Sequence, residues 1–111
     1  MKLALPTMGE EGLKDRVSEV FSKAPTFTIL EWDGLPHLIE VVDNPAAKMS
    51  QGVGPVATKL LKDKGVEVLL CGAVGVGAST ILSGFGIKHV KVEPGTRVSE
   101  AAAQIEVLWK V

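Results

Sequence analysis

The fold of this 111-residue chain follows from one stretch, VEVLLCGAVGVGASTILSGFGI, which spans residues 66–87. The stretch predicts a strand, a glycine-rich turn and a helix in direct succession. Its first part, Val66 to Leu70, is dense in branched apolar residues, which is typical of a strand buried on both faces and paired in parallel. We therefore expect this strand near the middle of a sheet.

The second half of the stretch predicts a helix that packs on that sheet. Gly72, Gly75 and Gly77 open the backbone where no side chain blocks the approach of a ligand. Gly86 stands where a helix end favours positive φ, and a second strand from Ile87 to Val92 completes a parallel βαβ crossover. The apolar stripe of the helix recurs at helical spacing and consists of Ala78, Ile81, Leu82 and Phe85.

Composition and charge place the chain among single-domain globular proteins. Residues 1–111 form one predicted domain, which is long enough to bury a core without disulfides or metals. Hydrophobic residues make up 46% of the chain, close to the globular average. The formal net charge is −1, so nucleic acid and anionic membranes are disfavoured as partners. No apolar run approaches the ~20 residues of a membrane span, and Pro6 interrupts any signal-peptide core. A single cysteine cannot form an internal disulfide. These features predict a cytoplasmic protein.

The N-terminal half predicts antiparallel strands. Lys2 to Leu5 is a short apolar strand, and Thr26 to Trp32 alternates between two faces. Asp33-Gly34 is a hairpin turn signal, and Leu38 to Asp43 supplies the returning strand.

The connecting segments predict a loop, a helical turn and two further helices. Met8 to Arg16 is a loop, and Val17 to Phe21 predicts one apolar-faced helical turn. A helix begins at Pro55 and ends before Gly65. The last helix follows a Thr96 N-cap and buries a stripe consisting of Val98, Ala101, Ala102, Ile105 and Leu108, while Trp32 and Trp109 are expected in the core or an interface.

The element order βββαβαβα predicts an α/β fold with a mixed five-stranded sheet of order 3-2-1-4-5, in which strand 2 is antiparallel. Helices cover both faces, which is the three-layer ribonuclease H-like arrangement. In open α/β sheets, ligands lie beyond the carboxyl ends of the parallel strands. Four segments are predicted to meet there: Pro6 to Gly9, Asn44 to Gly54, Cys71 to Gly77 and Glu93 to Thr96.

The glycine-rich turn, Gly72 to Ser79, has a spacing close to that of a phosphate loop. Nucleotide hydrolysis is disfavoured because Ala78 stands where a P-loop needs lysine, and Thr80 breaks a dinucleotide fingerprint. A two-metal nuclease is disfavoured because the central strands carry no carboxylate at the required end. Two interpretations remain open: the helix N-terminal amides hold an anionic group, or the glycines serve only a tight turn.

Three sulfur-bearing residues lie at the predicted ligand edge. Cys71 is either a soft ligand for iron or an iron–sulfur species, or a buried and inert thiol. Met8 and Met49 offer thioethers, whose alternative role is to fill gaps in the core. His37 and His89 have no partner at metal-ligand spacing and are predicted to be structural or solvated.

Six short segments lie in a fixed order along nearly the whole chain: MKLALPT at 1–7, VSEVFSKAP at 17–25, DNP at 43–45, KGVEVLLCGAVG at 64–75, GIKHV at 86–90 and GT at 95–96. This ordered set resembles the dinitrogenase iron-molybdenum cofactor biosynthesis family, whose members carry or insert nitrogenase metal-cluster precursors. The resemblance departs at Val20, where many relatives have histidine within Ser-Glu-His-Phe-Gly-Arg.

The resemblance implies a ribonuclease H-like fold and a protein that is not an enzyme. We expect a carrier of an iron–sulfur or iron–molybdenum type cluster, or of its precursor, working with a protein partner in cluster assembly. The alternative is a regulatory or assembly module whose pocket is vestigial. The expected cofactor-binding residues are Thr7, Met8, Cys71, Gly72, Gly75, Gly77 and Ser79, with Cys71 as the metal ligand.

Overall fold

A computed structural model describes residues 1–108 of the chain, which form a five-stranded mixed sheet covered on both faces. The strands are β1 (Lys2–Thr7), β2 (Thr26–Trp32), β3 (Pro36–Asp43), β4 (Val68–Cys71) and β5 (Lys88–Lys91).

The sheet order is β3-β2-β1-β4-β5, as the sequence predicts. Strand β2 is antiparallel to β1 and β3, whereas β1 pairs with β4 and β4 with β5 in parallel. Strand β2 has the predicted bounds, and β1 runs on through Thr7, beyond the predicted end at Leu5. The predicted ribonuclease H-like topology is confirmed.

The described helices are α1 (Val53–Asp63), α2 (Val76–Gly84), α3 (Val98–Ala103) and α4 (Ile105–Leu108), with short 3-10 turns at Gly12–Lys14 and Pro45–Lys48. Helix α1 begins two residues before the predicted start at Pro55. Gly65 and Gly86, which follow α1 and α2, have the positive φ that the helix ends favour.

The prediction of one continuous C-terminal helix is wrong, because a turn at Gln104 divides it into α3 and α4. The N–H of Gln104 donates to the carbonyl of Ala101 at 3.2 Å, a tighter i to i−3 bond than an α-helix makes. Arg97, and not Thr96, is the N-cap residue. Trp109 and the side chain of Leu108 lie outside the described residues.

The sheet separates two apolar cores, one under α1 and α2 and the other under α3 and the start of α4. Strand β4 serves both: Leu69 and Cys71 point into the first core, and Val68 and Leu70 into the second. This alternation is why β4 is apolar throughout. None of the helices within residues 1–108 is long and apolar enough to cross a bilayer.

The predicted helical turn at Val17 to Phe21 is wrong. Val17 pairs with Thr7 in an isolated antiparallel bridge, and the N–H of Ser18 donates to the carbonyl of Pro6 at 2.8 Å. These bonds hold the backbone out of a helical conformation and satisfy its donors. Residues 15–25, which we call the strap, therefore lie across the end of β1.

Candidate functional site

The four predicted loops lie at the edge of the sheet where β1, β4 and β5 end, which we call the loop edge. Residues 15–17 run antiparallel to residues 95–98 through an Arg16–Arg97 bridge. The side-chain amide of Asn44 donates to the carbonyl of Ser22 at 2.8 Å and ties the loop after β3 to the strap. The N–H of Val92 donates to the carbonyl of Cys71 at 2.9 Å. These contacts agree with the edge that the sequence predicts.

A buried carboxylate shapes the loop after β1. Asp15 is 3% exposed, and its carboxylate accepts hydrogen bonds from the backbone N–H groups of Gly9, Glu11 and Arg16 at 3.0, 3.2 and 2.7 Å. Hydrogen bonds to a charged acceptor are stronger than those between neutral groups. The loop that carries Met8 is therefore anchored at both of its ends.

A cavity of about 390 Å³ opens at the loop edge beside Met8, and we call it the Met8 cavity. Met8 and Val20 are 59% and 51% exposed. Val20 occupies the position at which the family resemblance expects histidine. The Met8 cavity is lined by Met8, Arg16, Val17, Ser18, Glu19, Val20, Pro25 and Gly95.

The N-terminus of α2 forms a second open surface at the loop edge. Gly75 is the N-cap residue and no side chain caps the helix, so the first amides of α2 are left uncapped. A Cβ atom added at Gly75 or Gly77 would have no described atom within 4 Å, and neither residue has positive φ. The fold therefore requires glycine at neither position.

Gly72 has a different role. A Cβ atom added there would lie 2.9 Å from Cγ of Pro94, so glycine lets the β4 loop pack against the loop after β5. Nε2 of His89 donates to the carbonyl of Gly72 at 2.8 Å and lies 3.2 Å from that of Cys71. Of the two predicted roles for His89, structural or solvated, these contacts favour the structural one.

Cys71 lies in the core and not on a ligand-facing surface. It is 1% exposed, and burial raises the pKa of its thiol to about 12. Its S–H donates to the carbonyl of Gly72 at 3.5 Å. Because thiolate and not thiol binds metals, this geometry favours the inert-thiol interpretation.

The predicted site residues divide into two sets. Met8, Gly75, Gly77 and Ser79 are exposed at the loop edge, whereas Thr7, Cys71 and Gly72 are buried. The hydroxyl of Thr7 is hydrogen-bonded to those of Thr26 and Thr28 at 2.6 and 3.0 Å, which gives it a structural role. Met49 is half-buried and packs on the core, in its gap-filling role.

The sequence patterns do not identify Arg16, Glu19 and Pro25 as cavity residues, because they place Arg16 in a loop, Glu19 in a helical turn and Pro25 after it, and no local pattern joins the three. The one available signal is Val20, a departure from the family pattern, which marks the cavity wall. In residues 1–108, no group of three or more His, Cys, Asp or Glu side chains is arranged to hold a metal ion.

Comparison with known proteins gives one family. The family model described as dinitrogenase iron-molybdenum cofactor matches residues 1–107. The apo form of the orange protein from Desulfovibrio gigas is similar in structure, with a TM-score of 0.86, 30% identity, and coverage of 95% of this chain and 86% of that one. A NifB-like protein of the DUF35 family from Thermotoga gives a TM-score of 0.77 and 33% identity over 95% of this chain and 86% of its own. No significant match is found among curated proteins.

Proposed function

The chain belongs to the dinitrogenase iron-molybdenum cofactor family, and on this premise we propose that it is a non-catalytic carrier of an iron–sulfur or iron–molybdenum type cluster or its precursor. The cluster is cargo, taken up at the loop edge and passed on to a protein partner. A reducing cytoplasm suits such a role.

The observation that carries this proposal is the pair of glycines at the start of α2. The backbone conformation and packing permit a side chain at Gly75 and Gly77, yet both positions leave the helix amides bare. Bare amides at a helix N-terminus attract anions, since the N–H groups and the helix dipole both favour negative charge. A preassembled cluster that carries its own sulfides has this charge.

The donor set fits a cluster that arrives already assembled. Residues 1–108 offer no cage of carboxylate, imidazole and thiolate ligands, so hydrogen bonds and apolar contacts supply the binding in this proposal. Met8 is the accessible soft donor, because its exposed side chain lines the Met8 cavity. Cys71 would become a ligand only if the β4 loop opened, since its sulfur is enclosed.

The test is anaerobic titration with a reconstituted iron–sulfur cluster, with metal retention measured after gel filtration. Gly75→Val and Gly84→Val form a matched pair, because both glycines lie at the ends of α2 with open space around them. Gly75→Val should weaken retention about tenfold by covering amides that hydrogen-bond a charged ligand. Gly84→Val should retain the cluster as the wild type does. Equal retention by both variants would contradict the proposed site.

A second function, a protein-interaction module with a vestigial pocket, is favoured by one surface. An apolar groove of about 430 Å³ lies between α1 and α2 and is lined by Pro55, Val56, Lys59, Ile81 and Phe85. This function predicts that Phe85→Ser abolishes capture of a protein partner while Gly75→Val leaves capture unchanged. The carrier function predicts that cluster retention survives Phe85→Ser.

A further inference from the structure

Two arginines, Arg16 and Arg97, lie opposite each other in the backbone, and Arg16 lines the Met8 cavity. Arg16 and Arg97 are partners in the isolated antiparallel bridge that joins the strap to the segment before α3. The N–H of Val17 donates to the carbonyl of Thr96 at 2.9 Å, and that of Val98 to the carbonyl of Asp15 at 2.8 Å. This pattern makes the arginines a non-hydrogen-bonded pair, in which the Cα atoms are about 4.5 Å apart and the side chains share a face.

We infer that Arg16 and Arg97 form a binding site for a compact, multiply charged anion with oxygen or sulfur at its periphery. Both side chains are exposed, and within residues 1–108 no carboxylate lies within 4.0 Å of either guanidinium. Like charges directly opposite each other in a sheet destabilise it. An anion held between the two guanidinium groups converts this repulsion into attraction.

The acidic groups nearby leave the arginines available. The carboxylate of Asp15 is occupied by three backbone amides, and it is buried. Glu19 lines the Met8 cavity without forming an ion pair among the described residues. Arg16 donates from Nη1 to the carbonyl of Gly95 at 2.9 Å, which fixes its head at the cavity wall and leaves its other N–H groups to bind an anion.

The chemistry of the pair selects the class of anion. Guanidinium groups present planar forks of N–H donors that bind two acceptor atoms at once, and they are weakly hydrated. The cavity wall beside Arg16 is apolar at Met8, Val17 and Val20. This combination suits a dianion with a soft periphery. The arginine site deepens the proposed function and rests on it for the natural ligand, which would be an anionic face of the carried cluster.

The test is calorimetric titration with sodium molybdate at low ionic strength, using wild type, Arg97→Gln and Lys62→Gln. Lys62 is exposed on α1, on the opposite side of the sheet, so its variant removes the same charge at a remote place. Arg97→Gln should weaken molybdate binding at least tenfold, since it removes charge-assisted hydrogen bonds to the anion. Lys62→Gln should stay within about twofold, the general effect of one surface charge. Equal affinity of the two variants would overturn the inference.

Thermal unfolding without added anion separates binding from a structural role. Arg97→Gln removes one of two like charges and should melt at or above the wild-type temperature. A lower melting temperature would count against the site, because it would show that Arg97 stabilises the bridge itself.

Cluster retention distinguishes the arginine site from the carrier function. If Arg97→Gln retains the cluster as the wild type does, the arginine pair is refuted as the place where the cluster binds and the carrier function stands. If the wild type retains no cluster but binds molybdate through Arg97, the carrier function fails and the arginine site stands.

Discussion

Gly72 and Gly77 lie in the same glycine-rich turn, yet they should respond to alanine in opposite ways. A Cβ atom at Gly72 would lie 2.9 Å from Cγ and 3.3 Å from Cδ of Pro94, and a proline ring cannot swing aside. A Cβ atom at Gly77 would have no described neighbour within 4 Å, at a position inside α2. The first change overpacks a contact between two loops, whereas the second adds a better helix former.

The magnitudes follow from these contacts. Overpacking costs about 1–3 kcal/mol, so Gly72→Ala should lower the free energy of unfolding by that amount. Gly77→Ala should raise it by about 0.5–1 kcal/mol, through helix propensity and the lower entropy of the unfolded chain. For a domain of this size, 1 kcal/mol corresponds to a melting-temperature shift of about 4 °C.

The assay is urea denaturation of wild type and both variants, with the midpoints compared at an unchanged slope. We expect a lower midpoint for Gly72→Ala and a higher one for Gly77→Ala. Equal midpoints, or the reverse order, would refute the assignment of Gly72 to packing and of Gly77 to an open surface.

Three further predictions concern buried polar groups. Asn44→Ala should lower the free energy of unfolding by about 2–3 kcal/mol, measured by denaturation. The reason is that the Asn44 amide donates to two carbonyls at 2.8 and 2.9 Å, and its oxygen accepts from the N–H of Ala46 at 3.0 Å. Gln51→Ala, in the exposed loop nearby, is the control and should change little. Cys71 should resist iodoacetamide at pH 8 in the folded protein, since a pKa of about 12 leaves about one thiol in ten thousand ionised, and rapid native-state labelling would contradict its burial. The thiol of Cys71 has its ordinary pKa of 9.0 in the unfolded chain and a pKa of about 12 in the folded protein. Between those pH values the unfolded chain loses the proton that the folded protein keeps, so the free energy of unfolding should fall as the pH rises. Denaturation midpoints that do not fall would count against this pKa shift.

The topology is predictable from the sequence because short-range patterns determine it. Alternation in Thr26 to Trp32 indicates an antiparallel strand, and the continuous apolar run ending at Leu70 indicates a buried parallel strand. Short right-handed connections then leave few alternative strand orders. The loop edge follows from the same topology. These predictions require no knowledge of contacts between distant side chains.

The course of the strap and the exposure of the candidate site residues are not predictable from these short-range patterns. The apolar spacing of Val17 to Phe21 favours a helical turn, but hydrogen bonds to β1 and to the segment before α3 determine its course. Cys71 is buried because its side chain points into the core under α1 and α2, a three-dimensional contact that residue spacing does not encode. Arg16 and Arg97 are far apart in the chain, and only the bridge places them together.

The most direct test of the carrier proposal is a nitrogen-15 correlation spectrum of the protein with a paramagnetic iron–sulfur cluster added anaerobically. Glycine amides report on both ends of the sheet. We predict that Gly75, Gly77 and Gly95, at the loop edge, lose intensity, while Gly34 and Gly65, at the opposite end, keep theirs. Broadening centred on Gly34 and Gly65, or no broadening at all, would contradict a cluster site at the loop edge.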